Sequence, residues 1–156
     1  MIDKLKKAGT VVVAPPAVAK TITEAQTINN GEKKNEAGIE IEAVAMYNME
    51  RGPQPGKFFH DKGRGNGYIL ALGGKRLYLS GDTECTPEMK AVRNIDVAFV
   101  CMNLPYTMPP GEAAECVKAF RPKIVYPYHF RGSDPQEFAN ALQGLQGVEV
   151  RLRKWY

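Results

Sequence analysis

The sequence predicts an α/β domain in which helices cover the faces of a central sheet. In the second half of the chain, short apolar runs typical of buried strands alternate with helix-start signals. The 156 residues are 44% hydrophobic and 24% charged, which is ordinary for a soluble globular protein with one core. We therefore expect a single domain over residues 1–156.

The N-terminal half contains the less regular predicted elements. Apolar spacing, β-branched runs and turn signals predict a helix over Ile2–Lys7, a strand over Thr10–Ala14, a helix over Ala17–Lys20, a turn at Asn29–Gly31 and a strand over Ile39–Val44. A long loop rich in glycine and proline follows over Asn48–Asn66. Because loops of this length are uncommon in compact domains unless they are functional, this segment is a candidate for part of a site.

The C-terminal half is more regular. Gly73-Gly74 predicts a tight hairpin between strands over Gly67–Leu72 and Lys75–Ser80. Strand and helix then alternate: a strand over Asp96–Met102, a helix from Pro109 that ends before Pro122, a strand over Lys123–Tyr128, a helix that starts at Ser133–Glu137 and a strand over Val148–Leu152. This order is typical of helices packed on a sheet.

Charge and cysteine usage narrow the function classes. The net charge is +4 and the basic residues are scattered, so the sequence predicts no nucleic-acid partner. It has no secretory signal and no apolar run long enough to span a bilayer, which predicts a cytoplasmic protein. Cys85, Cys101 and Cys116 are odd in number and lack CxxC spacing, so we expect reduced, buried thiols.

Three residues are candidates for metal ligands. Asp82 follows a predicted strand after Gly81, His129 ends another apolar strand, and His60 lies in the long loop. Imidazoles and carboxylates are the usual ligands of zinc, iron or manganese in hydrolytic centres. The alternatives are a turn aspartate that accepts hydrogen bonds from nearby backbone amides and histidines with structural roles.

Tyrosines and arginines near these positions are candidates for substrate contacts. Tyr106, Tyr126 and Tyr128 are candidates to shape a pocket, and Arg64 and Arg131 are candidates to hold an anionic group such as phosphate. The alternative is that the tyrosines belong to the core or its rim and that the arginines are ordinary surface residues.

Several longer motifs resemble one known superfamily. These are Thr10–Pro16, Gly65–Leu70, Gly74–Glu84, Met102–Met108 and Ile124–Gly132. They resemble the metallo-β-lactamase superfamily, in the branch with ascorbate-6-phosphate lactonase-like proteins and the N-acylphosphatidylethanolamine phospholipases. The resemblance implies a layered αββα sandwich and a divalent metal cofactor, with zinc, manganese or iron as the options.

The resemblance also implies roles for the candidate residues. In that superfamily two metals are held by a His-x-His-x-Asp-His motif, a further histidine, a bridging aspartate and a final histidine. Asp82 matches the bridging aspartate, His129 the final histidine and His60 the middle one. The implied reaction is attack by a metal-bound hydroxide on an ester, lactone, amide or phosphodiester.

One departure from the superfamily pattern is severe. Residues 1–40 contain no histidine, so the His-x-His-x-Asp-His motif is absent and no catalytic residue can be assigned. We expect an N-terminally truncated domain with weak metal binding and impaired hydrolysis; the alternative is a non-catalytic oligomeric or binding remnant. Apolar sheet surface left uncovered by the missing strands would favour a homo-oligomer.

Overall fold

A seven-stranded mixed sheet organises the fold in the computed structural model, which describes residues 2–155. The strands are β3 (Lys33–Glu36), β4 (Ile39–Met46), β5 (Gly65–Leu72), β6 (Lys75–Leu79), β7 (Val97–Cys101), β8 (Ile124–Tyr128) and β9 (Glu149–Val150). They lie side by side in chain order. Pairs from β3 to β6 are antiparallel and pairs from β6 to β9 are parallel. The predicted α/β class is confirmed.

The remaining elements are five helices and a small second sheet among the described residues. The helices are α1 (Ile2–Leu5), α2 (Pro16–Ala19), α3 (Pro87–Ala91), α4 (Pro110–Phe120) and α5 (Pro135–Ala141). Strands β1 (Val13–Ala14) and β2 (Gln26–Thr27) pair in parallel as a separate two-stranded sheet. No helix in residues 2–155 has the length and apolar character that crossing a membrane requires.

Local sequence signals explain the regular C-terminal half. Gly73 and Gly74 both have positive φ, as the predicted tight hairpin between β5 and β6 requires. Proline opens α3, α4 and α5, and the side chains of Thr86 and Asp134 cap α3 and α5 by accepting hydrogen bonds from backbone N–H groups. The predicted strands and helices of this half are present, with ends shifted by a few residues.

The N-terminal half differs more from the prediction. The strand expected over Thr10–Ala14 shortens to β1, and its partner β2 was not predicted. Strand β3 was also missed, because its sequence Lys-Lys-Asn-Glu has low strand propensity. It forms because Ala37 and Gly38, both at positive φ, turn the chain back onto β4. Pairing with β4 thus overrides local propensity.

Helices α3, α4 and α5 cover one face of the seven-stranded sheet and build the core. Side chains from the sheet (Tyr78, Val100 and Val125) and from the helices (Val117 and Phe138) are fully buried together there. The opposite face, here called the open face, presents two cross-strand rows: Ile41, Leu70, Leu77, Val97 and Ile124, then Ala43, Tyr68, Leu79, Phe99 and Tyr126.

The cysteines correct one expectation. Cys85, in the segment after β6, and Cys116 of α4 form a disulfide with their Cα atoms 5.5 Å apart. The prediction of three reduced thiols is therefore wrong for these two residues, which are separated by 31 positions and brought together only by the packing of α4. Cys101 is a free, buried cysteine, as expected.

Candidate metal centre

The three candidate ligands meet at one edge of the sheet. Asp82 follows β6 and His129 follows β8; because these strands run parallel on either side of β7, their carboxyl ends share an edge. His60 lies in the loop between β4 and β5. The Asp82 Oδ1 atom lies 2.9 Å from His129 Nδ1, and Asp82 Oδ2 lies 3.6 Å from His60 Nε2. One carboxylate therefore faces both histidines.

The backbone around Asp82 is tightly constrained. Gly81 has a φ of +66°, and a Cβ atom there would lie 3.0 Å from the Asn66 carbonyl oxygen and 3.1 Å from the Met46 sulfur. Ser80 Oγ accepts a hydrogen bond from the Cys101 amide at 3.1 Å, which ties this turn to the end of β7. Only glycine combines this conformation with this close approach, so the turn aims Asp82 out of the sheet edge.

His129 is held in an unusual conformation. Its φ of +46° lies in the left-handed region, which is uncommon for a residue other than glycine and costs conformational energy. Asn103 Nδ2 lies 3.1 Å from His129 Nε2. Because an amide nitrogen only donates, Nε2 accepts and Nδ1 carries the proton that is directed to Asp82. Asn103 and Asp82 together fix both the orientation of the His129 ring and its tautomer.

His60 is oriented by Asn48, which lies two residues after the end of β4. Asn48 Oδ1 accepts from the His60 amide at 2.8 Å and from His60 Nδ1 at 2.9 Å. The backbone N–H of Asn48 in turn donates to the His60 carbonyl oxygen at 2.9 Å. With Nδ1 protonated, the lone pair of Nε2 is on the side of Asp82. Metal-binding histidines in proteins are commonly oriented through their other ring nitrogen in this way.

Glu84 holds Asn48 and the neighbouring loop segment in place. Its side chain is 1% exposed and accepts hydrogen bonds from Asn48 Nδ2 and from the backbone amides of Met49, Glu50 and Arg51, at 2.8–3.0 Å. Burial by itself would raise the pKa of Glu84, but the donors from Asn48 and the three amides together hold it below its ordinary value. An ionised carboxylate therefore fixes the loop segment that orients His60.

Sequence reasoning gave no role to Glu84, Asn48 or Asn103. The available signal for Glu84 was a second carboxylate two residues after Asp82, beside a long loop that needs an anchor. Nothing local in the sequence distinguishes Asn48 or Asn103, because their partners are 12 and 26 positions away. These pairings follow from the topology alone.

Two cavities flank the three candidate ligands. One of 360 Å³ is lined by His60, Asp82 and Arg64, and one of 490 Å³ is lined by His129, Asn103, Tyr106 and Arg131 among others. Each predicted arginine therefore lies in a cavity with a candidate ligand. A larger cavity of 780 Å³ lies beside α3 and contains none of the three candidate ligands.

Tyr126 and Tyr128, two of the tyrosines predicted to shape a pocket, do not line either of the two flanking cavities. Tyr128 packs edge-to-face on Phe99, and burial raises its pKa. Tyr126 stacks on the same Phe99 ring at 5.3 Å. Both rings thus contact Phe99, and a role for either tyrosine in substrate binding stays a prediction.

The donors suit a divalent transition metal by chemistry, although they are not arranged as a formed site. Two imidazoles and one carboxylate are ligands that zinc, manganese and iron accept. Within residues 2–155, no group of three or more His, Cys, Asp or Glu side chains has the arrangement of a metal site. In this structure Asp82 and His129 are instead bonded to each other.

Comparison with known proteins places the chain in a family. The family described as the beta-lactamase superfamily domain matches residues 3–129. A UPF0173 metal-dependent hydrolase of Pyrobaculum islandicum is 30% identical over 94% of this chain and 65% of its own length. One from Pelotomaculum thermopropionicum is 32% identical over 55% of this chain and 41% of its own length. The chain thus spans less than two thirds of these relatives.

Solved structures agree with this placement. A crystal structure from Parabacteroides distasonis, whose name assigns it to the metal-dependent hydrolases, is 38% identical and superposes with a TM-score of 0.90 over 97% of this chain and 68% of its own. The metallo hydrolase Igni18 of Ignicoccus hospitalis shares the fold with a TM-score of 0.77 at 24% identity. The chain belongs to the beta-lactamase superfamily domain family and hence to the metallo-β-lactamase superfamily.

Proposed function

We propose that the chain is part of a metal-dependent hydrolase in which Asp82, His129 and His60 bind a divalent metal. One observation carries the proposal: three side chains from three separate segments converge, with both oxygens of Asp82 facing an imidazole. The hydrogen bonds of Asn48 and Glu84 support it, because metal-binding histidines are usually oriented through their other ring nitrogen by a partner that is itself hydrogen-bonded.

The names of the relatives support the same chemistry. Those from Pyrobaculum islandicum and Pelotomaculum thermopropionicum are called metal-dependent hydrolases. A divalent metal bound here would polarise the scissile group of a substrate and lower the pKa of water. Zinc is our first choice, with manganese and iron as alternatives, since all three accept nitrogen and carboxylate donors.

The residues of the chain itself have separate tasks in this proposal. Asp82 and the two histidines hold the metal, and Asn48 keeps His60 Nε2 turned toward Asp82. Arg64 and Arg131 flank the site in the two cavities, where guanidinium groups suit an anionic substrate. We therefore propose a small anionic ester, lactone or phosphodiester as the substrate class.

A second candidate function is a non-catalytic binding module with the same ancestry. It is favoured by one observation: His60 and His129 are the only histidines of the chain, so the His-x-His-x-Asp-His motif is absent from it. Three donors are fewer than the four ligands of an ordinary structural zinc site, and a sparse site binds more weakly. A binding module would use the cavities beside Arg64 and Arg131 without turnover.

Hydrolysis assays separate the two candidates. The purified chain, incubated with zinc, manganese or iron, is assayed with bis-p-nitrophenyl phosphate, a p-nitrophenyl ester and a simple lactone. The proposal predicts metal-stimulated turnover of at least one substrate, and at least a tenfold loss in Asp82→Asn. Asp61→Asn, at an exposed aspartate of the β4–β5 loop, serves as the matched control and should retain activity. The binding-module candidate predicts no turnover with any of them.

A further inference from the structure

We infer that a cavity at the opposite end of the sheet from the candidate metal ligands binds a small anion that carries two phosphate groups. Lys75, Asp96 and Lys123 in its wall stand at or next to the amino ends of β6, β7 and β8. Asp82 and His129 instead follow the carboxyl ends of β6 and β8. The cavity also touches the last turn of α4, and its volume of 650 Å³ is typical of a small-molecule site.

The fold concentrates basic residues in this cavity, although they are scattered along the sequence. Five basic side chains and one acidic side chain line it: Lys75, Arg76, Arg93, Arg121, Lys123 and Asp96. The chain has 21 basic and 17 acidic residues, so 16 of each remain outside the cavity and their charges cancel. The formal net charge of +4 is therefore that of one concave surface, which attracts anions.

Asp96 is already engaged and does not neutralise this cluster. Its Oδ1 atom accepts a hydrogen bond from Lys123 Nζ at 2.7 Å, and its Oδ2 atom accepts one from the backbone N–H of Arg76 at 2.9 Å. These bonds hold the pKa of Asp96 below its ordinary value, so the carboxylate is ionised. Lys75 Nζ lies 4.0 Å from the same Oδ1 atom. The single carboxylate thus compensates Lys123 closely and leaves the arginines without an acidic partner in the cavity.

The three arginines have hydrogen-bonding capacity left for a ligand. Arg93 Nη1 and Arg121 Nη2 donate to backbone carbonyl groups, and in the described part of the chain neither guanidinium forms an ion pair with a carboxylate. Arg76 Nη2 lies 3.5 Å from Glu42 Oε2, while its buried Nε atom has no hydrogen-bond partner among residues 2–155. Because a guanidinium has five N–H donors, each arginine can still bind an acceptor.

The adjoining cavity of 780 Å³ has a different charge balance. The two cavities share Arg76 and Arg93. The other charged residues of the larger cavity form two lysine–glutamate pairs, Lys33 with Glu42 at 3.2 Å and Lys62 with Glu88 at 2.5 Å. Its own charges are therefore matched within the chain, and the excess positive charge belongs to the 650 Å³ cavity.

This excess indicates the class of ligand. A phosphate monoester carries a charge of about −1.5 to −2 at pH 7 and has three strong acceptor oxygens. Two phosphate groups therefore balance the charge of the cavity, and guanidinium groups bind phosphate through paired N–H donors. The cations line a concave cavity rather than an extended stripe, so a small molecule fits this surface better than a nucleic acid does.

Isothermal titration calorimetry of the metal-free chain with pyrophosphate tests the inference. We expect one pyrophosphate per chain and an affinity that falls as salt is added. Arg93→Gln and Arg121→Gln should each weaken binding about tenfold, because each removes charge-assisted hydrogen bonds to the anion. Arg153→Gln is the matched control: it removes the same charge from an exposed arginine outside the cavity and should bind pyrophosphate like the wild type.

Two further measurements make the test specific. Arg93 is exposed, so Arg93→Gln should keep the far-ultraviolet circular dichroism spectrum of the wild type, and Asp82→Ala should keep the affinity for pyrophosphate. Citrate, a tricarboxylate, should bind more weakly than pyrophosphate. No pyrophosphate binding by the wild type, or an equal loss in Arg153→Gln, would overturn the site. A loss in Asp82→Ala would place the anion at the candidate metal centre instead, and equal binding of citrate would contradict the phosphate class.

Discussion

The two faces of the seven-stranded sheet have similar composition and different surroundings. Tyr78 and Val100, which point to the helices, have no exposed surface, whereas their neighbours Leu79 and Phe99 on the open face are partly exposed. Strand alternation places apolar residues on both sides. An apolar strand face therefore does not by itself tell how much its residues stabilise the fold. That contribution depends on whether another element, such as helices α3, α4 and α5, covers the face.

The largest expected effect is on the covered face. Phe138→Ala removes a fully buried ring of α5 and should lower the free energy of unfolding by about 3–5 kcal/mol, measured by urea denaturation. The loss includes both the transfer of the ring to water and the cavity it leaves. A loss below about 1 kcal/mol would mean that α5 does not pack on the sheet as described.

The disulfide on the helix-covered side of the sheet should contribute almost as much to the free energy of unfolding. Cys85→Ala with Cys116→Ala removes a cross-link over 31 positions and should lower the free energy of unfolding by about 3–4 kcal/mol. Reduced wild-type protein is the control and should unfold like the double variant. Equal stability of oxidised wild type and double variant would contradict the pairing.

Thiol titration tests the same pairing without mutation. Burial raises the pKa of Cys101 to about 11, so its thiol stays neutral and unreactive in the folded protein at pH 8. Without a reductant, we expect no reactive thiol in the native chain and one after unfolding. Three should appear after unfolding and reduction. Three thiols without reduction would contradict the disulfide.

A smaller effect on stability is expected at Glu84, which lies near the candidate metal ligands at the edge of the sheet. Glu84→Gln replaces a buried, ionised carboxylate and should cost about 1–3 kcal/mol of stability, because the new NH2 group cannot accept the hydrogen bonds that one carboxylate oxygen accepts from backbone amides of residues 49–51. It should also weaken metal binding by about 10–100-fold through His60, as measured by isothermal titration. The matched control is Glu115→Gln, an exposed glutamate of α4.

A Glu84→Gln variant that becomes less stable yet binds metal like the wild type would restrict Glu84 to a structural role. The Glu115→Gln control should change neither property.

The smallest effect belongs to the open face. Leu79→Ala, studied at submicromolar concentration, should change the free energy of unfolding by only about 1 kcal/mol, because the side chain is already partly exposed. A loss equal to that of Phe138→Ala would show that the open face is covered within a single chain, and would remove the contrast between the two faces.

Local patterns predicted most of the C-terminal fold and failed where long-range pairing decides. Gly73-Gly74, and the prolines that open α4 and α5, determine structure within a few residues, so the hairpin and both helices were found. Strand β3 and the Cys85–Cys116 pair depend on partners supplied by the fold, so their sequences carry no sufficient signal.

The candidate site divides in the same way. Asp82 and His129 stand at strand ends that the sequence marks clearly, and their proximity follows from parallel strands. His60 is brought to them through the hydrogen bonds of Asn48, which no spacing rule predicts. The ligand roles of all three remain predictions until metal binding is measured.

The most direct test of the metal centre is metal content by mass spectrometry. The purified chain is incubated with zinc, manganese or iron and freed of excess metal before measurement, alongside Asp82→Ala and His129→Ala variants. The account predicts about one ion retained per wild-type chain and much less in either variant. No retained ion in the wild type, or equal retention in all three proteins, would contradict the assignment of these residues as metal ligands.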